Sequence, residues 1–410
     1  MQRALTSRKR LAATALACST WAGSALAQDL PAPDGQCQLG QWSSSRNLDD
    51  LAGHATAGCT LRWRTKLGEA LSASLAAHAG WADTGQARSG KASLREAQLD
   101  WRQGPWSARL GRQVIAWGRA DRINPTDNLA PRDHTGLVAT DEAQRRGIDA
   151  LQLRRELGEH LALVAVLARF RPDLAPEGSL PARRSEVSPT QRRSWAWKLD
   201  HSGAVDASLS WFDGHASAAR YSAAFWPDGL QFIGQHERQR TLGADFATAL
   251  QAWTLRGEIA RSQWRPDCDG CASPRRHSLQ WVLGADRDVG DNLNLNLQFF
   301  STQRSEDNAL AMPASVGAAL ERLNLAFGPR QRGITLRLAQ GLMNERLKLE
   351  WASLWDLSHH SQLHRPRISW AQSDALRFGA GLDRFRGPPQ SLFGSLQKNN
   401  AAFMDMSIVF

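Results

Sequence analysis

Arg62, Arg64 and Lys66 alternate with Leu61, Trp63 and Thr65, and Arg365 and Arg367 repeat that spacing near the far end of the chain. Side chains two apart on an extended backbone share a face, so each set forms a cationic row backed by an apolar or neutral one. Guanidinium groups stay charged near neutral pH and present several donors in a fixed fork. Rows of them offer electrostatic selection of anions rather than bond-making. Continuing the alternation places Arg102, Arg109, Arg256, Arg337, Lys348 and Arg377 on the same polar face, with Arg154 and Lys198. The carboxylates on that face include Asp100, Asp200, Asp245, Glu258, Glu350, Asp383 and Asp405. The mixture carries a mild positive bias.

Motifs for bond-making chemistry are scarce. The sequence holds no G-x-S-x-G, no H-E-x-x-H and no Gly-rich phosphate loop. His236-Glu237 lacks a second histidine, and His359-His360 falls in a short connection. Cys268 and Cys271, with two residues between them, suit a local disulfide that stiffens a loop better than a redox centre, which would need a thioredoxin-like context. No enzyme activity, metal or cofactor is implied.

Net charge is +10 over 410 residues, which invites a nucleic-acid reading. Four of those cations, Arg3, Arg8, Lys9 and Arg10, precede the apolar stretch Leu11–Cys18 and the small-x-small pattern Ala25-Leu26-Ala27. That is the form of a secretory signal peptide cleaved before Gln28. Without it the excess falls to +6 and basic runs stay short, so nucleic acid is not the expected partner.

The polar rows need strands to carry them. From about residue 60 the chain alternates with period two: Ser194–Asp200, Trp253–Ser262, Asn292–Gln298, Arg367–Ala371 and Leu376–Asp383 all do so. The strands run to about 8–12 residues, near what a tilted membrane strand needs. Connections alternate between short ones, such as Gln103–Pro105 and Ser373–Asp374, and long ones, such as 120–143 and 304–331. Tight turns on one rim and long loops on the other belong to outer-membrane barrels. Seventeen Trp against one Tyr suggest a girdle of indoles at the strand ends. The last strand puts Met404, Met406, Ile408 and the terminal Phe410 on one face.

The expected fold is therefore all-β: a closed antiparallel transmembrane barrel of 18 strands, with 16 as the alternative. Residues 1–27 form the signal peptide, 28–58 an N-terminal segment that includes a weak first strand over 36–45, and 59–410 the barrel. On this count Cys37 and Cys59 lie toward opposite rims, so a disulfide between them would contradict it. Val316, Leu320, Leu323 and Phe327 are spaced for a helix inside the longest loop.

Gly111-Arg112-Gln113-Val114-Ile115-Ala116-Trp117-Gly118 followed by Asn124-Pro125-Thr126-Asp127 resembles a segment of proteobacterial porin-like outer-membrane proteins. Arg365–Trp370, Phe378–Gly381 and Ser391–Gly394 are similar to the closing strands of the same group. More loosely, the chain resembles phosphate-selective and alginate-export barrels, although the lumenal lysine cluster of the former is missing. The resemblance implies a channel in the outer membrane of a Gram-negative bacterium. Small polar or anionic solutes would diffuse passively through it, with the 120–143 and 304–331 loops narrowing the mouth. Outer-membrane lipid and the barrel assembly machinery are the implied partners, the latter reading Phe410. Oligomeric state stays open. Arg112 falls on the lipid side by plain alternation, and a bulge at Gly111 is expected to turn it into the pore. A lipid hydrolase using an outward Ser/His pair, and an export partner for a polysaccharide or lipid, are the rival readings.

Overall fold

The computed structural model describes residues 32–44, 52–83, 88–134, 144–174, 184–189, 192–227, 229–265, 276–306, 313–324 and 326–410. Residues 1–27, expected to form a signal peptide, and Cys268 and Cys271 lie outside the described residues.

In chain order the strands begin with β1 (Asp34–Ser44), β2 (Ala52–Lys66), β3 (Leu71–Asp83), β4 (Arg88–Gln103), β5 (Trp106–Gln113), β6 (Ile148–Glu156) and β7 (Leu161–Arg169). They continue with β8 (Arg184–Val187), β9 (Arg193–His201), β10 (Val205–His215), β11 (Arg220–Trp226), β12 (Gly229–Gln235), β13 (Arg238–Leu250) and β14 (Trp253–Arg265). The rest are β15 (Arg276–Val289), β16 (Leu293–Glu306), β17 (Arg330–Leu342), β18 (Leu347–Asp356), β19 (Ser361–Ala371), β20 (Leu376–Arg386) and β21 (Ala401–Val409).

All but β8, β11 and β12 form one 18-stranded sheet. Each strand pairs antiparallel with its neighbours, and β1 pairs with both β2 and β21. The sheet is thus a closed barrel with no free edge. Gly35 and Phe410 exchange backbone hydrogen bonds of 2.8 and 3.0 Å, so chain start and chain end meet at one rim. The short turns 67–70, 104–105, 157–160, 202–204, 251–252, 290–292, 343–346 and 372–375 lie at that rim. Barrels of this type keep such turns on the periplasmic side.

One expectation fails. Cys37 and Cys59 are disulfide-bonded, and they sit directly opposite each other in the β1–β2 ladder. They do not point to opposite rims, because β2 starts at Ala52 and pairs down the full length of β1 from Ser44↔Ala52 to Asp34↔Arg62. The bridge is compatible with 18 strands and lies on the outer face, in line with Ile408 of β21.

Outward faces carry the apolar band: Leu99, Trp101, Leu110, Leu153, Trp197, Leu209, Leu242, Leu283, Trp351 and Trp370 are all exposed. Beyond the long-loop rim β12 pairs antiparallel with β11 and parallel with β8, making a small second sheet. The helix anticipated in the longest loop is α1 (Ala314–Leu323). Its Val316 packs with Tyr221 and Phe232 of that sheet, so this part of the loop covers the second sheet.

Candidate functional site

The inner wall is not uniformly polar. Val164, Val166 and Ala168 of β7 face inward with Ala150, Ala196 and Phe212, and all are buried. A water-filled lumen would make such a surface unfavourable. The chain after β5 covers it: residues 114–134 fold into the barrel, and Ile115, Trp117 and Leu129 join that apolar cluster. Of the two loops expected to narrow the pore, it is the β5–β6 connection that enters.

Polar contacts fix where the loop ends up. Glu258 on β14 is 3% exposed. Its Oε1 accepts from the backbone N–H groups of Arg119 at 2.8 Å and Ala120 at 2.7 Å. Its Oε2 accepts from the Thr126 hydroxyl at 2.8 Å. Gly118 is required beside it: its φ is +98°, and a Cβ would stand 2.4 Å from Oε1. Arg119 reaches back to Asp200 at 2.8 Å and to Asp245. Asp121 accepts from Arg256 at 3.0 Å and from Asn296 at 2.8 Å. The loop therefore crosses the lumen from the β6–β10 wall to the β14–β16 wall.

Asp127 closes the seat from within. Its side chain is fully buried between Arg145 at 3.0 Å and Arg132 at 3.5 Å. Burial pushes its carboxyl up to about 6, against the opposing pull of those two arginines. A cavity of about 200 Å³ remains between loop and wall, lined by Arg109, Arg154, Lys198 and Asp200 among others.

Arg122 turns away from this seat. Its φ of 66° puts the backbone in the left-handed region, and its side chain is directed to the opposite wall. There burial, with Arg365 and Arg337 nearby, holds its guanidinium below the usual arginine value, against the opposing pull of Glu350. It stays charged near neutral pH.

That opposite wall is a ladder of cross-strand ion pairs. Arg337 meets Glu350 at 2.9 Å, Arg365 meets Asp383 at 2.6 Å, and Arg367 meets Asp405 at 2.7 Å. Lys348 stands 3.9 Å from the same Glu350, and Arg109 pairs with Asp100 at 2.6 Å. Arg62, Arg64, Lys66, Arg102 and Arg377 are exposed on the inward face. Among the described residues these five have no carboxylate within ion-pair distance. Of the four arginines Arg62, Arg64, Arg365 and Arg367 expected to favour anions, Arg365 and Arg367 are thus paired with carboxylates.

Arg112 requires a correction. The ladders on both sides of β5 run without a slip at Gly111, with Leu99↔Leu110 and Ala97↔Arg112 on one side and Arg112↔Asp149 on the other. The register shift lies one strand away in β4, between the partners of Ala76 and Ala77. Arg112 therefore points outward with Leu110, where Asp149 accepts from its Nε at 2.8 Å and its Nη2 at 3.1 Å. It does not line the pore.

Residues the sequence reading missed are Arg119, Asp121, Arg122 and, on the outer face, His364. Ser353 and His364 are directly opposite in the β18–β19 ladder and share a 2.8 Å hydrogen bond. Trp351 Nε1 donates to the same Ser353 hydroxyl at 2.7 Å.

No family model matches the chain, and no curated protein does. Solved structures do. OccK11 (OpdR) of Pseudomonas aeruginosa superposes with a TM-score of 0.54 at 11% identity, over 92% of this chain and 94% of that one. OccAB4 of Acinetobacter baumannii gives 0.53 at 8%, over 93% and 99%. A loop-deletion variant of OmpT, an outer membrane protein of Vibrio cholerae, gives 0.50 at 8%, over 92% and 98%. At such identities the likeness is one of fold: these are outer-membrane barrels of the same architecture.

Proposed function

We propose that the chain is an outer-membrane channel through which small polar or anionic solutes diffuse passively, along the part of the lumen that the β5–β6 loop leaves open. The observation that carries this reading is the placement of Arg122 on the inserted loop, opposite the Arg337, Arg365 and Arg367 wall. The loop narrows the barrel, and the narrowed side is edged by guanidinium groups whose surplus over carboxylates is positive. Such rings set selectivity in pores. Arg62, Arg64, Arg102, Arg109, Arg337, Lys348, Arg365, Arg367, Arg377, Asp383 and Asp405 are the proposed lining, while Arg256, bonded to Asp121 of the loop, belongs to the covered wall. Planar-bilayer recording of the purified protein tests the reading. Discrete steps with a mild preference for chloride over potassium are expected, and a protein that inserts without conducting would overturn it.

The same reading makes Phe410 the assembly signal, since it stands outward at the seam and pairs its backbone with Gly35. Phe410→Asp should abolish heat-modifiable protein in the outer membrane while leaving export intact.

A hydrolase acting on lipid is the second reading, and the outward Ser353–His364 pair is what favours it. Against it, Ser353 is 5% exposed, and the rings packed on His364 are those of Trp351 and Trp355 rather than an orienting carboxylate. The pair reads better as two polar side chains satisfying each other in an apolar face. Ester hydrolysis by wild type that is lost in Ser353→Ala would reverse that choice.

A further inference from the structure

The outer face carries a second set of arginines that the channel does not use. Arg112, Asp149, Arg169 and Arg193 lie side by side across four adjacent strands, β5, β6, β7 and β9. Arg112 is opposite Asp149, and Arg169 is opposite Arg193. Asp149 joins the two halves, lying in the field of Arg112, Arg171 and Arg169. At about 4.8 Å per strand the row spans roughly 14 Å. Each member is the first, second, penultimate or last residue of its strand, at the long-loop end.

Directly beneath, on the same face, runs an apolar row: Leu110 opposite Leu151, Leu151 opposite Leu167, and Leu167 opposite Trp195. A two-residue step along each strand thus converts a cationic surface into a lipid-facing one. The row sits at the boundary of the hydrocarbon layer on the extracellular side.

The charges in the row do not balance. Asp149 accepts from two of the three guanidinium nitrogens of Arg112, Nε and Nη2. Arg169 and Arg193 are exposed and, among the described residues, have no carboxylate within ion-pair distance. Like charges directly opposite on neighbouring strands repel, and next to a low-dielectric layer that repulsion is screened less than in water. An anion between them removes the repulsion, and forked guanidinium donors suit phosphate.

We propose that this row is a binding site for the phosphate-bearing headgroup of an outer-leaflet lipid, whose acyl chains lie on the Leu110–Leu151–Leu167–Trp195 row below. The site is independent of conduction, so its failure would leave the channel reading untouched. A single outward arginine at the opposite rim serves as a contrast: Arg155 stacks over Trp106 at 4.9 Å and has no cationic neighbour across the ladder.

The test is native mass spectrometry of the full mature protein, released from detergent after incubation with diphosphoryl lipid A. Wild type and Arg155→Gln should retain the lipid equally, and Arg169→Gln/Arg193→Gln should lose roughly tenfold or more. Arg169→Lys/Arg193→Lys, which keeps the charge, should retain most of it. Lipid A stripped of phosphate should fail to bind wild type, and excess inorganic phosphate should not displace the intact lipid. Heat-modifiability certifies the folding of each variant. Equal retention by wild type and the glutamine variant, equal binding of the dephosphorylated lipid, or displacement by inorganic phosphate alone would each overturn the proposal.

Discussion

The lumen wall built by β6 to β16 and the wall built by β17 round to β5 carry the same kinds of charged side chain and use them differently. In the first, Asp200, Asp245 and Glu258 receive donors from the inserted loop, and the apolar inner face of β7 lies under Ile115 and Trp117. In the second, Arg337, Arg365 and Arg367 pair with carboxylates on the next strand or the one beyond. Arg62, Arg64 and Arg377 face water beside them. Glu258 holds the loop through backbone N–H donors, whereas Asp383 and Asp405, likewise buried, are spent on arginines of their own wall.

The largest effect should come from breaking the loop's seat. Glu258→Ala leaves the N–H groups of Arg119 and Ala120 without their acceptor and releases the Thr126 hydroxyl. Removing one side of a buried charged network costs about 3–5 kcal/mol, enough to free the loop. Single-channel conductance should rise severalfold with the barrel still heat-modifiable. Arg122→Glu should act next most strongly: it keeps the seat and reverses the charge at the loop's turn toward the ladder. Its channels should conduct and lose their chloride preference.

A smaller effect comes from Asp127. Its carboxyl is raised from 3.8 to about 6, so its contribution to the seated state is complete below about pH 4 and is lost as pH rises through 6. The seat should be tighter at pH 5 than at pH 7, by about 1 kcal/mol. Loop-opening noise in current records should therefore increase from pH 5 to pH 7, and Asp127→Asn should flatten that dependence. Smallest of all should be a charge swap in the ladder. Arg367→Asp/Asp405→Arg keeps a neutral pair in the same place, and the reversal potential should stay where it is in wild type.

Much of the barrel could be read from the chain because a period of two decides which side chains meet lipid. Turns such as 104–105 and 372–375 follow from where alternation breaks, and the helix α1 from the helical spacing of Val316, Leu320 and Leu323. The start of β2 did not show, since Ala52–Thr60 reads A-G-H-A-T-A-G-C-T and offers no contrast between faces. That gap led to the misplaced Cys37 and Cys59. The inserted loop was hidden for a different reason: its contacts join residues over a hundred positions apart, such as Thr126 and Glu258. A signal was nevertheless present. Leu161–Arg169 reads L-A-L-V-A-V-L-A-R, apolar on both faces, and a strand of that kind needs cover on its inner side as well as lipid on its outer. Gly118 and Asn124-Pro125-Thr126-Asp127, noted as a resemblance, are the residues that seat the cover.

On the proposed function, ions pass beside the unpaired cations of the open wall and not through the covered one. The direct measurement is the reversal potential of single channels across a KCl gradient at low ionic strength, where screening is weak. Arg62→Glu/Arg64→Glu/Arg377→Glu should move it clearly toward cation preference, while Lys198→Glu, set in the covered wall beside Asp200, should move it little. Conducting channels in which the open-wall triple change leaves the reversal potential unmoved, or in which Lys198→Glu moves it more, would contradict the account.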